Sequence, residues 1–320
     1  MTIFSKDITK TFNYINKIFQ NLSVWGHLLI IIVILLAVII ITKPFSKTSK
    51  IEGFTTEERF LIRTDSTSIY DEFYSEIYDS LVFNDVKDDY EIGEILRITT
   101  PVEKSRVLDI GCGTGHHVAG FAAENIPITG IDNSSAMIDI AKKNYPDLDF
   151  QLANALDGNT FRSDYFTHII CMYFTAYYFE NKRQFFNNCI NWLVPGGYLV
   201  VHLVDRDMFD PIIPPANPLI TLTPQRYATE RIMSSKVTFN NMKYNARFEL
   251  DAPNDKAKFI EKFTMNDSSR VIQNEHTFHI PPQADILDIA KECGFIVHGK
   301  IDLIKSGYEY QYLYILIKPN

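Results

Sequence analysis

The segment VLDIGCGTGHHVAGFA (107–122) constrains the fold of this chain more than any other. A short strand-like run carries Asp109 near its end and leads into Gly111, Gly113 and Gly115 at alternate positions, followed by a helix-compatible stretch. Glycines at that spacing permit a turn too tight for side chains, so a strand passes almost directly into a helix. The strand then needs a parallel partner, because a helical crossover returns the chain in the same direction. PITGID, HIICMYF and GYLVVHLV are further short apolar runs, and Gly115 to Glu124, Ser134 to Asn144 and Lys182 to Leu193 read as helices between them. The alternation predicts a doubly wound, mostly parallel α/β sheet. ADILDIAKECGF reads as a helix stopped by Gly294, and FIVHGKIDLI with EYQYLYILIKP as a closing hairpin.

Between these parts the period falls to about two. KVTFNNMKYNARFEL, KAKFIEKFTM and SRVIQNEHTFHI alternate polar and apolar residues around turn pairs such as Asn254-Asp255, which predicts an inserted antiparallel β-sheet. At the other end, 24–42 is nearly free of polar groups and includes LLIIIVILLAVIII. A helix over that stretch is roughly 28 Å long, enough to span a bilayer, and the bulky, charged residues after it do not resemble a signal-peptide cleavage site. The expected organisation is a tail at 1–23, either amphipathic or frayed, a transmembrane helix at 24–42 and a tether at 43–65. A core at 66–205 and 283–320 then encloses an insertion at 206–282. Lys43, Lys47 and Lys50 sit closer to the span than Lys6, Lys10 and Lys17, which leans toward a single-pass membrane protein with a cytoplasmic C-terminal domain. The four scattered cysteines form no CxxC pair and fit a reducing compartment. A net charge of −8 without basic runs argues against a nucleic-acid partner.

The glycine spacing separates two kinds of ligand. A dinucleotide loop reads GxGxxG, whereas here Gly115 is followed by His116 where the third glycine would stand. Asp109 ahead of the loop repels a pyrophosphate but suits a cation. Asp132, ending the next strand, can accept hydrogen bonds from a ribose. Two acids around such a loop fit an adenosyl ligand with an amino-acid tail and no phosphate, namely S-adenosylmethionine.

VLDIGCGTG, GIDNSSAMIDIAKK and LVPGGYLVV together resemble the successive motifs of class I S-adenosylmethionine-dependent methyltransferases, over about 66–320. The resemblance implies a Rossmann-like fold on a seven-stranded sheet. It also implies that Gly111, Gly113 and Gly115 admit the cofactor's amino-acid portion, that Asp109 holds its ammonium directly or through water, and that Asp132 binds the ribose. Asn133 and Met137 would line the adenine, with Asn154-Ala155 standing where the family usually has an Asp and a small residue. A narrower resemblance, to glycine N-methyltransferase and the amino-sugar N,N-dimethyltransferases, rests on Tyr70, Asp71 and Tyr74, on Lys87, Asp89 and Tyr90, and on IICMYFTAYYF. It implies that Tyr70 and Tyr78, with Cys112, Cys171 and Met172, join the cofactor site. Tyr70, Tyr74 and Tyr78 fall at i, i+4, i+8, one face of a helix.

Methyl transfer from a sulfonium is an in-line displacement that asks chiefly for alignment in a dry pocket. The sequence shows no ligand spacing for a metal. An amine acceptor has to lose a proton, so an acceptor group near it helps. His202 is either that base or a strand histidine satisfied by its neighbours, and Tyr173 either acts in transfer or lines the methyl pocket. DPIIPPANPL (210–219) is too proline-rich for a helix and reads as a strap over the substrate or a linker. The expected activity is methyl transfer to a small molecule, most simply an amine. Lipid or quinone substrates, a protein substrate, and a non-catalytic binding scaffold are the competing expectations.

Overall fold

The computed structural model describes residues 23, 25–26, 60–212, 230–268 and 270–320. The tail at 1–23, the transmembrane segment at 24–42 and the first part of the tether thus lie outside the described residues, apart from isolated positions. So does most of the strap at 210–219. Among the described residues no helix is long and apolar enough to cross a membrane.

From Val107 to Val204 strands and helices largely alternate, and the inserted strands follow. The order is β1 (Phe60–Arg63), α1 (Ser66–Ile69), α2 (Glu72–Val82), α3 (Asp85–Thr99), β2 (Val107–Ile110), α4 (His116–Ala123), β3 (Ile128–Asp132), α5 (Ser135–Asn144), β4 (Asp149–Leu152) and β5 (Phe166–Cys171). There follow α6 (Thr175–Tyr178), α7 (Lys182–Trp192), β6 (Leu193–Val204), β7 (Ser234–Thr238), β8 (Met242–Asp251), β9 (Lys256–Met265) and β10 (Val271–His279). The chain closes with α8 (Gln283–Glu292), β11 (Ile296–Asp302) and β12 (Gln311–Ile317). Seven strands form one sheet in the order β11-β12-β6-β5-β2-β3-β4. β2 pairs in parallel with β3 and β5, while β12 runs antiparallel to β6 and β11. All four residues of β2 are buried, as expected of a strand covered on both faces. The chain leaves β2 toward β3 on one side and later returns to β5 on the other. That reversal opens a crevice at the carboxyl ends of the strands, where open α/β sheets bind ligands.

The inserted sheet has five strands, ordered β1-β10-β9-β8-β7. Four are antiparallel, as the period-two pattern implies. The fifth, β1, comes from the residues expected to be tether and pairs in parallel, Phe60 opposite Val271 through Arg63 opposite Asn274. Four residues are too few to show a period, and Arg63 is held instead by an ion pair to Asp71, the cap of α2. The inner face of this sheet packs on the crevice helices through ring contacts such as Phe73 with Phe263 and Phe174 with Phe278.

The turn after β2 has the geometry the glycines permit. Gly111, Gly113 and Gly115 all have positive φ, and Gly115 (φ 93°) caps α4 without a side chain. A Cβ on Gly115 would lie 2.7 Å from the Phe150 ring of β4, so this glycine serves the packing of α4 against the sheet. Gly115→Ala is expected to cost about 1–3 kcal/mol of stability through its left-handed backbone and the Phe150 clash, measured by denaturant unfolding.

Candidate cofactor and acceptor site

Three cavities meet at Tyr70, Tyr78 and Tyr178 above the carboxyl ends of the parallel strands. The first, about 660 Å³, lies over β2 and β3 among Gly113, Asp132, Asn133, Met137, Asn154 and Ala155. The second, about 690 Å³, passes along the glycine turn to Asp109, Cys112, Met172, Tyr173 and Lys87. The third, about 450 Å³, is walled by aromatic rings, among them Tyr74, Phe174, Phe209, Phe248 and Phe259, with His276 on one side.

The first cavity is held by Asp132. Its Oδ2 accepts the Gly113 N–H at 3.1 Å and its Oδ1 the Ser134 N–H at 2.9 Å, so the carboxylate fixes both the loop and the start of α5. Burial raises its pKa above the usual carboxylate value despite these bonds. Gly111 and Cys112 both donate to the Ile131 carbonyl, at 2.8 and 3.0 Å, and a Cβ on Gly111 would lie 2.5 Å from Thr175. Asn154 lines the cavity, but its Oδ1 already accepts the Leu156 N–H at 2.9 Å.

Asp109 dominates the second cavity. It is 2% exposed, its Oδ1 has no partner, and burial pushes its pKa up to about 7. Beneath it lies a charge cluster absent from the sequence reading. Lys87 Nζ is 2.8 Å from Glu91 Oε2, and His117 Nε2 is 3.1 Å from the same oxygen. Burial works against the Glu91 charge, yet Lys87 and His117 outweigh it and bring its pKa down to about 2. His117 is likewise penalised by burial but raised to about 9 by Asp88 and Glu91. Asp88, Glu91 and His117 bring ligand atoms within 4.8 Å of one another, a grouping that no sequence spacing revealed. The Lys87 ammonium already supplies positive charge there.

Tyr70, Tyr78, Asp109, Gly111, Cys112, Gly113, Asp132, Asn133, Met137, Asn154, Ala155, Met172 and Tyr173 all line these cavities. Four expectations need correction. Tyr70 precedes α2 and its Asp71 cap, so the three tyrosines do not share one helix, although their rings still meet at 5.4–6.2 Å. Cys171 is fully buried inside β5 and lines none of these three cavities. Gly115 faces Phe150. His202 is 0% exposed, with Nδ1 2.6 Å from the Tyr173 carbonyl and Nε2 3.1 Å from Gln311 Oε1, and burial with the Lys87 charge lowers its pKa to about 4. Neither nitrogen is left for a substrate, so His202 is a core histidine. Tyr173 (φ 54°) does face the cavities, its hydroxyl buried without a partner and its ring 4.9 Å from Lys87 Nζ.

The donor set suits S-adenosylmethionine: an unpartnered buried acid for an ammonium, a second acid at the end of β3 for a ribose, and aromatic rings between them. Residues 107–197 match the methyltransferase domain family. Over that stretch the chain is similar to methyltransferases. It is 30% identical over 143 residues to the dTDP-4-amino-2,3,4,6-tetradeoxy-D-glucose N,N-dimethyltransferase of Saccharopolyspora spinosa, covering 43% of this chain and 57% of that one. It is 27% identical over 140 residues to the dTDP-3-amino-3,4,6-trideoxy-alpha-D-glucopyranose N,N-dimethyltransferase of Streptomyces venezuelae, covering 42% and 58%. The chain thus spans somewhat more than half the length of these curated relatives. An S-adenosylmethionine-dependent methyltransferase from Clostridium acetobutylicum shares the fold, with a TM-score of 0.58 at 17% identity over 78% of this chain and 98% of that one.

The Asp109 pKa of about 7 makes the candidate cofactor site pH-dependent. Without cofactor the folded state keeps a proton that the unfolded chain releases near 3.8, so this group's contribution to stability falls as pH rises from about 4 to about 7. An ammonium beside Asp109 favours the carboxylate, so cofactor binding must expel that proton below about pH 7. Affinity measured by calorimetry should rise by up to about tenfold per unit toward pH 7 and then level off, and Asp109→Asn should flatten the curve.

Proposed function

We propose that this methyltransferase transfers a methyl group to the amine of an amino sugar, and does so while anchored to a membrane. The observation that carries the acceptor class is the aromatic cavity opening onto the cofactor cavities at Tyr70, Tyr78 and Tyr178. Such rings present faces to the apolar side of a sugar and attract an ammonium by cation–π interaction. The likeness to two amino-sugar N,N-dimethyltransferases supports the same reading.

When bound, S-adenosylmethionine supplies an electrophilic methyl on sulfonium. The chain's own residues do the rest. Asp132 and the glycine turn would hold the ribose of the cofactor and Asp109 its ammonium, beside the aromatic cavity that shares Tyr70, Tyr78 and Tyr178. Phe174, Phe209 and Phe248 give the third cavity an apolar lining. Alignment of this kind is worth up to roughly 7–11 kcal/mol of barrier in favourable intramolecular cases. Label from the S-adenosylmethionine methyl should appear on dTDP-4-amino-2,3,4,6-tetradeoxy-D-glucose in the presence of the enzyme. Asp132→Ala should weaken cofactor binding by about 1–3 kcal/mol, and unchanged affinity would refute its assignment.

The anchor rests on the apolar run at 24–42, and the lysines that follow it favour a cytoplasmic catalytic domain. Full-length protein should stay with membranes through an alkaline wash, and a chain lacking residues 1–42 should not; a soluble full-length protein would refute the anchor.

A further inference from the structure

The third cavity is lined mostly by aromatic rings, and the inserted sheet adds His276 to its wall. Glu261 on β9 and His276 on β10 point inward at positions where the period-two pattern places core residues, and they are 1% and 2% exposed. His276 Nε2 lies 2.8 Å from Glu261 Oε2. Its Nδ1 lies 2.5 Å from the Tyr178 hydroxyl, which is 2.9 Å from the Tyr70 hydroxyl. Tyr244 donates to the other Glu261 oxygen at 2.7 Å.

The chemistry of these groups sets the direction of the chain. A carboxylate only accepts, so Tyr244 and the Nε2–H of His276 both donate to Glu261. Nδ1 is then the acceptor of its ring and takes the Tyr178 proton, and the Tyr178 oxygen in turn accepts from Tyr70. Every proton in the row points toward Glu261. The Tyr70 oxygen, at the meeting of the three cavities, keeps lone pairs for a donor.

We propose that Tyr70, Tyr178, His276 and Glu261 form the proton relay that frees the acceptor nitrogen for methylation. The inference rests on the amine reading of the acceptor. An N–H bond of the substrate breaks as an O–H bond forms on Tyr70. The Tyr70 proton passes to Tyr178, and the Tyr178 proton to Nδ1 of His276, leaving an imidazolium paired with Glu261 and two neutral phenols. The nitrogen lone pair then forms the N–C bond as the C–S bond breaks, the electron pair staying on sulfur. Burial, reinforced by neighbouring negative charge, holds both tyrosine hydroxyls well above their usual pKa, so they conduct protons and do not rest as phenolates. The groups around His276 are Glu261 from β9, Tyr178 from α6, and the rings of Tyr70, Tyr74, Phe259 and Phe278 at 5.7–6.1 Å. Asp132, across the first cavity, adds to the field on both hydroxyls.

Kinetics on dTDP-4-amino-2,3,4,6-tetradeoxy-D-glucose test the relay. His276→Gln, Glu261→Gln and Tyr178→Phe should each lower kcat by about 100-fold or more, the scale of a lost acid–base group, with the S-adenosylmethionine KM changed by less than about twofold. The last two are near-isosteric, and calorimetric binding of S-adenosylmethionine to each variant checks that the site is intact. Wild-type kcat/KM should fall on the acid side through an ionisation that His276→Gln lacks. Variants that bind cofactor normally and turn over within about threefold of wild type, with the same pH profile, would overturn the relay while leaving the amine reading in place. A wild-type enzyme that binds cofactor yet leaves this sugar unmethylated would overturn that reading, and the relay with it.

Discussion

The Ile131 carbonyl, which accepts the N–H groups of both Gly111 and Cys112, is the contact on which the site depends. It pins the turn after β2 to the end of β3 and so decides where the next residue, Asp132, stands relative to the loop. Asp132 then takes the Gly113 N–H, and the turn is tied to its neighbouring strand at successive residues. A turn bound this way needs positive φ at Gly111 and Gly113 and leaves no room for a Cβ at Gly111 against Thr175. Backbone geometry and ligand cradle are therefore one requirement.

Electrostatics divides the crevice into two regimes. Below the glycine turn, Lys87, Glu91, His117 and Asp88 neutralise one another, and mutual attraction exceeds the burial penalty. Asp109 stands just outside that balance. It gains some relief from His117 but not enough to offset burial, which is why its pKa rises while that of Glu91 falls. A buried acid without a partner is costly in the free protein and becomes favourable when a cation arrives. The site thus has its electrostatic shortfall where the ammonium of the cofactor would sit.

Much of this was legible in the chain. The strands, the crossover helices and the inserted sheet followed from period and from turn residues, and Asp109, Asp132 and the glycines followed from their places at strand ends. Other features were not. The parallel strand Phe60–Arg63 is too short to carry a period, and its partner lies more than 200 residues away. His202 and Cys171 fall on the right strands, but only packing shows that both are sealed in the core. Glu261 and His276 carried one signal, an acid and a histidine at inward positions of alternating strands, which is an expensive choice for a core.

The sequence alone determined the type of sheet, the tight turn after its first core strand and the two acids around it, because hydrophobic period and glycine spacing are local properties. Tertiary structure decided which buried polar groups face one another. Lys87 with Glu91 is a local helical pair, but His117 on Glu91, Tyr178 on His276 and Tyr70 on Tyr178 join residues far apart in the chain. A hydrogen bond depends on distances of a few tenths of an ångström, and only the packed fold sets distances between remote segments that finely.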